Sequence, residues 1–279
     1  MFTGINPMIE SPSQFWPGVR PVRTGINRTS TTKTWIGIHR SATAEIAYDR
    51  KIEQVQKSDD PLLAESHNYA FSLDFPGHGG SDGPLLSSIE DMADWVARAL
   101  DHLGVKQAAV VGHSMGALSA ISFAARHPDK ARALGLVGAA LAMPVSKDLL
   151  GAAASDHHDA IDMVNLWGHG FHAGIGGCEW PGVWMTGASE DLLERADKGV
   201  LSNDLAACNA HQAVAENAAK ISCPALVVQG SRDMMTPLKG ARALAAAMPK
   251  GSIQIVQGAG HMTMIERATE TLEALAGAV

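Results

Sequence analysis

The chain has 279 residues, of which 46% are hydrophobic and 18% are charged, and its formal net charge is −7. This composition is typical of a soluble globular protein and excludes a disordered chain, and the lack of a basic block excludes an electrostatic surface for nucleic acid. No stretch approaches the roughly 20 apolar residues that cross a bilayer, and the first residues lack a signal-peptide pattern, so we expect a cytoplasmic protein without a membrane span.

The first 60 residues have an unusual composition. They contain no leucine, although ordinary usage of roughly 10% would give about six. Only Thr34–His39 resembles a β-strand there. We therefore regard residues 1–60 as an atypical N-terminal segment.

From about residue 68 onward, short apolar runs alternate with helical patterns, which predicts a mostly parallel sheet with crossover helices. An amphipathic helix is predicted from Ile89 to Leu103 and is expected to end at Gly104. A second helix is predicted to run to about Arg126. Three strands are predicted in this part of the chain: Tyr69–Leu73, Gln107–Val111 and Leu134–Val137.

The alternation stops between about residues 142 and 220, where helix-like pieces are broken by glycine, histidine and tryptophan. It resumes with predicted strands at 225–229 and 252–256 and predicted helices at 237–248 and 263–277. This order indicates an α/β core formed by residues 61–141 and 221–279. Residues 142–220 are predicted to form an inserted helical cap.

The pentapeptide Gly112–Gly116 (GHSMG) lies between a predicted strand and a predicted helix. A G-x-S-x-G sequence in that context is typical of a nucleophile elbow, because side chains at the glycine positions would collide with the strand and the helix. Ser114 is therefore the candidate nucleophile. The amide of Met115, at the start of the helix, is a candidate donor to an oxyanion.

Two further candidates follow predicted strands, at the edge where open parallel sheets hold their ligand sites. Asp233 follows the strand at 225–229, and His261 follows the strand at 252–256. A serine becomes a strong nucleophile only when a base accepts its proton, and a carboxylate orients that base. The order Ser114, Asp233, His261 therefore predicts a catalytic triad.

Four motifs make residues 69–279 resemble the α/β-hydrolase fold family: DFPGHGGSD at 74–82, GHSMG at 112–116, GSRD at 230–233 and GAGH at 258–261. The resemblance implies a Ser-Asp-His triad, no cofactor and a helical cap. It also implies a serine hydrolase of the carboxylesterase type, acting on a small-molecule ester through an acyl-enzyme. Serine at position 114 argues against haloalkane dehalogenases and epoxide hydrolases of this family.

The family's second oxyanion donor is expected in a His-Gly turn near the N-terminus, and here the pattern departs from the family. The nearest match is residues 36–41, in which Arg40 stands where glycine is expected. Ser41 is the candidate second donor, next to His39. Three explanations stay open: a divergent working loop, a defective one, or a shifted reading frame or misjoined start, which would also account for the missing leucine.

Two alternative functions also stay open, namely hydrolysis of a carbon–carbon bond in a ring-cleavage product and a catalytically weak or silent binding protein. Four residues are candidates for the substrate pocket: His39, His113, Trp167 and Trp184. His157 and His158 lie among aspartates, but their spacing is typical of a solvated helix, so no metal site is expected. Three scattered cysteines, Cys178, Cys208 and Cys223, are too few for a disulfide framework or a metal site and are expected to be buried structural thiols.

Overall fold

The computed structural model describes residues 34–38, 69–178 and 182–278. Six strands are found in these ranges: β1 (Thr34–Ile38), β2 (Tyr69–Leu73), β3 (Ala108–His113), β4 (Ala131–Val137), β5 (Ala225–Gly230) and β6 (Gly251–Val256). They form one sheet in the order β2-β1-β3-β4-β5-β6. Every neighbouring pair is parallel, as the sequence predicts.

Eleven helices are found in the same ranges. They are α1 (Ile89–His102), α2 (Met115–Arg126), α3 (Lys147–Ala154), α4 (Asp159–Gly168), α5 (Phe171–Gly174), α6 (Met185–Glu194), α7 (Val200–Ala210), α8 (Val214–Lys220), α9 (Leu238–Ala247), α10 (Thr263–Glu266) and α11 (Ala268–Ala278). None of the described helices is long and apolar enough to cross a membrane.

Helix α1 illustrates how local sequence sets the element boundaries. The Ser88 side chain accepts a hydrogen bond from the Asp91 amide (3.0 Å) and caps the first turn. Gly104, with φ +68°, follows the last turn in the left-handed region that glycine tolerates. The predicted helix over Ile89–Leu103 is confirmed to within one residue.

The two faces of the sheet bury different side chains because successive residues of a strand point in opposite directions. Val110 and Leu134 belong to the main core with helices α1, α2, α8 and α9. Ala109 and Ala133 belong to a smaller cluster, which Leu275 of α11 covers. All six residues of β5 are buried, as expected for a central parallel strand with helices on both faces.

Six helices, α3–α8, lie between β4 and β5, and we refer to them as the inserted helices. Leu149, Ala160 and Leu205 form a separate small core within them. Val214 and Ala218 of α8 are part of the main core, as are Ala207 and Cys208 at the end of α7. The last inserted helix therefore packs as part of the α/β layer.

Most predicted boundaries differ from the structure by one or two residues, and two differences are larger. Strand β4 begins at Ala131 rather than Leu134, because Arg132 interrupts the apolar run that marks the strand in the sequence. The predicted helix over 263–277 is broken at Arg267, whose φ of −143° and ψ of 63° lie outside the helical region. Residues 1–33 and 39–68 lie outside the described residues, so the explanations for the N-terminal segment remain hypotheses.

Candidate active site

The three predicted triad residues are brought to one edge of the sheet. Ser114 directly follows β3, Asp233 follows β5, and His261 follows β6. Parallel strands end at the same edge, so residues far apart in the chain meet there. The candidate site is therefore a product of the sheet topology.

Ser114 occupies a strained turn. Its φ is 53° and its ψ is −114°, a conformation that costs a non-glycine residue on the order of 1–3 kcal/mol. Its amide donates to the carbonyl of Val137 on β4 (2.9 Å), which holds the turn against the sheet. A Cβ atom at Gly112 would lie 2.1 Å from the carbonyl oxygen of Gly116. The elbow thus depends on the glycines from which it was predicted.

The Met115 amide is the first of α2. The first N–H groups of a helix have no partner within the helix and point toward the N-terminal end, where they favour negative charge. Met115 and Ser114 both line the same pocket. Ser41 and His39, the other predicted residues of this region, lie outside the described residues.

His261 and Asp233 form a buried hydrogen-bonded pair, with His261 Nδ1 2.8 Å from Asp233 Oδ2. The other carboxylate oxygen, Oδ1, accepts hydrogen bonds from the amides of Met235 (2.9 Å) and Thr236 (2.8 Å). The Thr236 hydroxyl and the Gln229 amide group also donate to Oδ2, at 2.6 and 2.7 Å. The carboxylate is therefore held in one orientation.

Burial by itself raises the pKa of Asp233, but the charge and hydrogen bond of His261 and the donors of Thr236 outweigh it, so the pKa lies below its ordinary value. An ionised Asp233 holds the proton of His261 on Nδ1 and leaves Nε2 as the basic nitrogen. His261 Nε2 is buried and has no hydrogen-bond partner among the described residues. It is thus available to accept a proton within the pocket.

His113, the last residue of β3, contacts the loop of His261. Its Nε2 lies 3.1 Å from the His261 carbonyl oxygen, so Nε2–H is the donor. The two imidazole rings also pack with centroids 4.6 Å apart. His113 therefore supports the position of His261 in addition to lining the pocket.

Ser114 and His261 line one pocket with a volume of about 120 Å³. The inserted helices supply much of its apolar wall, including Val164 of α4, Leu193 of α6 and Leu205 of α7. Met235 and Met262 contribute from the loops of Asp233 and His261. A wall of this composition suits an apolar substituent next to the serine.

The predicted pocket residues Trp167 and Trp184 lie elsewhere, and neither lines this pocket. Trp167 packs against the small core of the inserted helices. Trp184 is 69% exposed, at the start of α6. Aromatic density in the sequence marks the inserted helices but does not show which way each ring points.

A second buried pair, His78 and Asp204, was not predicted. His78 Nε2 lies 3.0 Å from Asp204 Oδ2, and both residues line the pocket. His78 Nδ1 also contacts the carbonyl of Pro76 (3.1 Å). The turn after β2 is thereby joined to α7. No local sequence signal links residues 126 positions apart.

His169, at the end of α4, adds a polar contact to the pocket wall. Its Nδ1 donates to the Asn165 carbonyl (2.9 Å), and the Ser189 hydroxyl contacts Nε2 (3.2 Å). Burial lowers the pKa of His169, so the neutral ring accepts from Ser189. These contacts tie α4 to α6 beside the pocket.

Of the histidines and aspartates near residue 158, the structure brings His158 and Asp162 together with Glu190. His158 Nε2 is 2.9 Å from Glu194, and this hydrogen bond raises the pKa of His158. These residues lie on the exposed surface of α4 and α6, where such ion pairs contribute little. Of the cysteines, Cys208 and Cys223 are buried, Cys178 is partly buried, and no disulfide joins any two of them.

Several known proteins are similar to this chain in sequence. A pimeloyl-[acyl-carrier protein] methyl ester esterase from Chromobacterium violaceum is 30% identical over 73% of this chain and 81% of its own length. A dihydrolipoyllysine-residue acetyltransferase component of an acetoin cleaving system from Pseudomonas putida is 27% identical over 75% of this chain. The chain spans 55% of the length of this acetyltransferase component, and 43% of the length of a putative non-heme haloperoxidase from Mycobacterium phage D29 that is 29% identical over 50% of this chain.

Solved structures show the same fold. A thermophilic esterase superposes with a TM-score of 0.68 at 25% identity, covering 90% of this chain and 89% of the esterase. The enol-lactonase from Burkholderia xenovorans LB400 superposes with a TM-score of 0.75 at 22% identity, covering 90% and 92%. A sequence profile of the alpha/beta hydrolase family matches residues 54–274. The chain belongs to the alpha/beta hydrolase family.

Proposed function

We propose that this protein is a serine hydrolase of carboxylic esters with a short acyl group. One observation carries the proposal: His261 Nε2 is buried, without a hydrogen-bond partner among the described residues, in the pocket that Ser114 lines. Asp233, 2.8 Å from Nδ1, sets the tautomer that makes Nε2 basic. The relatives named as esterases support an ester as the substrate class.

The reaction follows from the roles of these atoms. Ser114 Oγ attacks the ester carbonyl while His261 Nε2 accepts its proton, and Asp233 stabilises the resulting imidazolium. The carbonyl oxygen becomes an oxyanion that the Met115 amide can bind. His261 then returns the proton to the departing alcohol, which leaves an acyl-Ser114 ester. Water, deprotonated by His261, hydrolyses that ester and releases the acid.

The inserted helices are proposed to act as the cap that sets substrate choice. They provide Val164, Leu193 and Leu205 to the pocket wall. A volume of about 120 Å³ is below the roughly 150 Å³ of an apolar cavity that holds benzene. This size favours a short acyl chain.

Pre-steady-state hydrolysis of p-nitrophenyl butyrate tests the proposal. We expect a burst of one p-nitrophenol per protein and a one-to-one adduct with a fluorophosphonate in the intact mass. Ser114→Ala should abolish both and lower kcat by about 10⁶-fold. Ser252→Ala, on the exposed side of β6, is the matched control and should leave both unchanged.

Two outcomes would contradict the proposal. If neither a burst nor an adduct forms, the protein is a binding protein with the family fold. If only a vinylogous diketone is cleaved, the substrate is a carbon–carbon bond and the ester proposal is wrong.

A further inference from the structure

Glu266 is a buried carboxylate beside the loop of His261, with 2% of its surface exposed. Its Oε1 accepts a hydrogen bond from the Gly260 amide, and its Oε2 accepts one from the Gly170 amide, both at 2.9 Å. Gly260 directly precedes His261 in the chain, and Gly170 lies between α4 and α5. One side chain thus joins the histidine loop to the inserted helices.

Further hydrogen bonds hold the same two segments together. The amides of His261 and Met262 both donate to the carbonyl of Gly168, each at 3.0 Å. The Gly168 carbonyl at the end of α4 and the Glu266 carboxylate therefore both hold the backbone around His261.

The backbones at Gly260 and Gly170 also lie too close together for either position to carry a side chain. A Cβ atom at Gly260 would lie 2.4 Å from the Gly170 nitrogen, and one at Gly170 would lie 2.7 Å from Glu266 Oε2. Real Cβ atoms do not approach other atoms so closely. This packing leaves both amides directed at the carboxylate.

An ionised carboxylate suits both amides. Each of its oxygens accepts hydrogen bonds, whereas a glutamine has one accepting oxygen and an NH₂ group that would face the second N–H donor. Burial raises the pKa of Glu266, against the opposing effect of the Gly260 and Gly170 donors. A carboxyl group is thus kept at a position where burial disfavours its charge, beside the loop of the candidate base.

We propose that Glu266 is a positioning residue, which fixes the His261 loop against the inserted helices so that Nε2 stays aligned with Ser114. The inference rests on the proposed function. Glu266 is not among the described residues that line the pocket. Its effect should therefore fall on proton transfer, with substrate binding little changed.

Glu266→Gln tests the proposal, with Glu273→Gln on the exposed surface of α11 as the matched control. Active sites are counted by fluorophosphonate labelling carried to completion, and turnover of p-nitrophenyl butyrate is expressed per labelled site. We expect kcat per site to fall about 10- to 100-fold, with KM within twofold of wild type. The control should match wild type in both values.

A purely structural role would lower the number of labelled sites and leave kcat per site unchanged, which would overturn the proposal. Gly170→Ala provides a second variant if Glu266→Gln is insoluble, because its Cβ would displace Glu266 Oε2. It must also lower kcat per site, and an unchanged value would refute the inference. Absence of labelling in wild type would instead refute the proposed function.

Discussion

Asp233 Oδ2 and His261 Nδ1 lie 2.8 Å apart in a position from which solvent is excluded, with side-chain exposures of 0% and 3%. The Thr236 hydroxyl contacts both atoms, at 2.6 Å from Oδ2 and 3.3 Å from Nδ1. Every neighbour of the Asp233 carboxylate named above is a hydrogen-bond donor. These donors fix the orientation of the carboxylate and also favour its ionised form. The tautomer of His261 is then a consequence of Asp233.

Asp233→Asn should therefore change the tautomer without removing a side chain. The amides of Met235 and Thr236 would retain the accepting oxygen at the Oδ1 position, which places NH₂ opposite His261. Nδ1 would then accept, and Nε2 would carry the proton and lose its basicity. We expect kcat for p-nitrophenyl butyrate to fall about 10⁴-fold. Asp159→Asn, on the exposed start of α4, is the control, and a loss of less than tenfold at Asp233 would contradict this account.

The same pair predicts how stability depends on pH. The pKa of Asp233 lies lower in the folded protein than in the unfolded chain, where it is about 4. The stabilisation is therefore fully present above pH 4 and is lost as the pH falls through the folded-state pKa. Urea unfolding should show that the difference in unfolding free energy between wild type and Asp233→Asn is constant from pH 7 to 5 and shrinks below pH 4.

The stability that Glu266 contributes should depend on pH with the opposite sign. Burial raises its pKa in the folded state, so its contribution to stability is greatest below the unfolded-state value of about 4.3 and declines as the pH rises through the folded-state pKa. The unfolding free energy of wild type relative to Glu266→Gln should therefore decrease between pH 4 and 7. A difference that does not vary over this range would show that Glu266 does not titrate as proposed.

The positions of Ser114, Asp233 and His261 relative to the strands could be predicted because local signals mark them. A pair of glycines marks the elbow, and an apolar run ending just before Asp233 or His261 marks a strand end. Parallel strands then bring the three residues to one edge. The sheet and its flanking helices could be predicted for the same reason.

Glu266 could not be identified in this way. It falls within a predicted helix over 263–277, where a glutamate ordinarily faces solvent. Its burial depends on the Gly170 amide, 96 positions away, and on a backbone break at Arg267. Asp204 was missed because its partner, His78, is more remote still, 126 positions away. Such contacts depend on how the inserted helices pack, which periodicity does not describe.

Adding one methyl group at Gly112 in the elbow should strongly lower both stability and activity. Gly112→Ala would place Cβ 2.1 Å from the Gly116 carbonyl oxygen, and because that oxygen belongs to packed backbone the elbow must shift. We expect a loss of about 3 kcal/mol in unfolding free energy and a fall in kcat of about 100-fold. Gly151→Ala is the control, since its Cβ would have no atom within 4 Å and should raise stability by about 0.5–1 kcal/mol. Equal effects at the two sites would contradict the steric explanation.

The pocket wall predicts which residue limits the acyl chain. Leu193 is partly buried on α6 and lines the pocket, whereas Leu166 on α4 is 73% exposed and lies outside it. Leu193→Ala removes three carbons from the wall, so longer acyl chains should fit with little loss of stability. The ratio of kcat/KM for p-nitrophenyl octanoate to that for the acetate should rise about tenfold. Leu166→Ala should leave the ratio unchanged, and an equal rise in both variants would show that the inserted helices do not select the acyl chain through this contact.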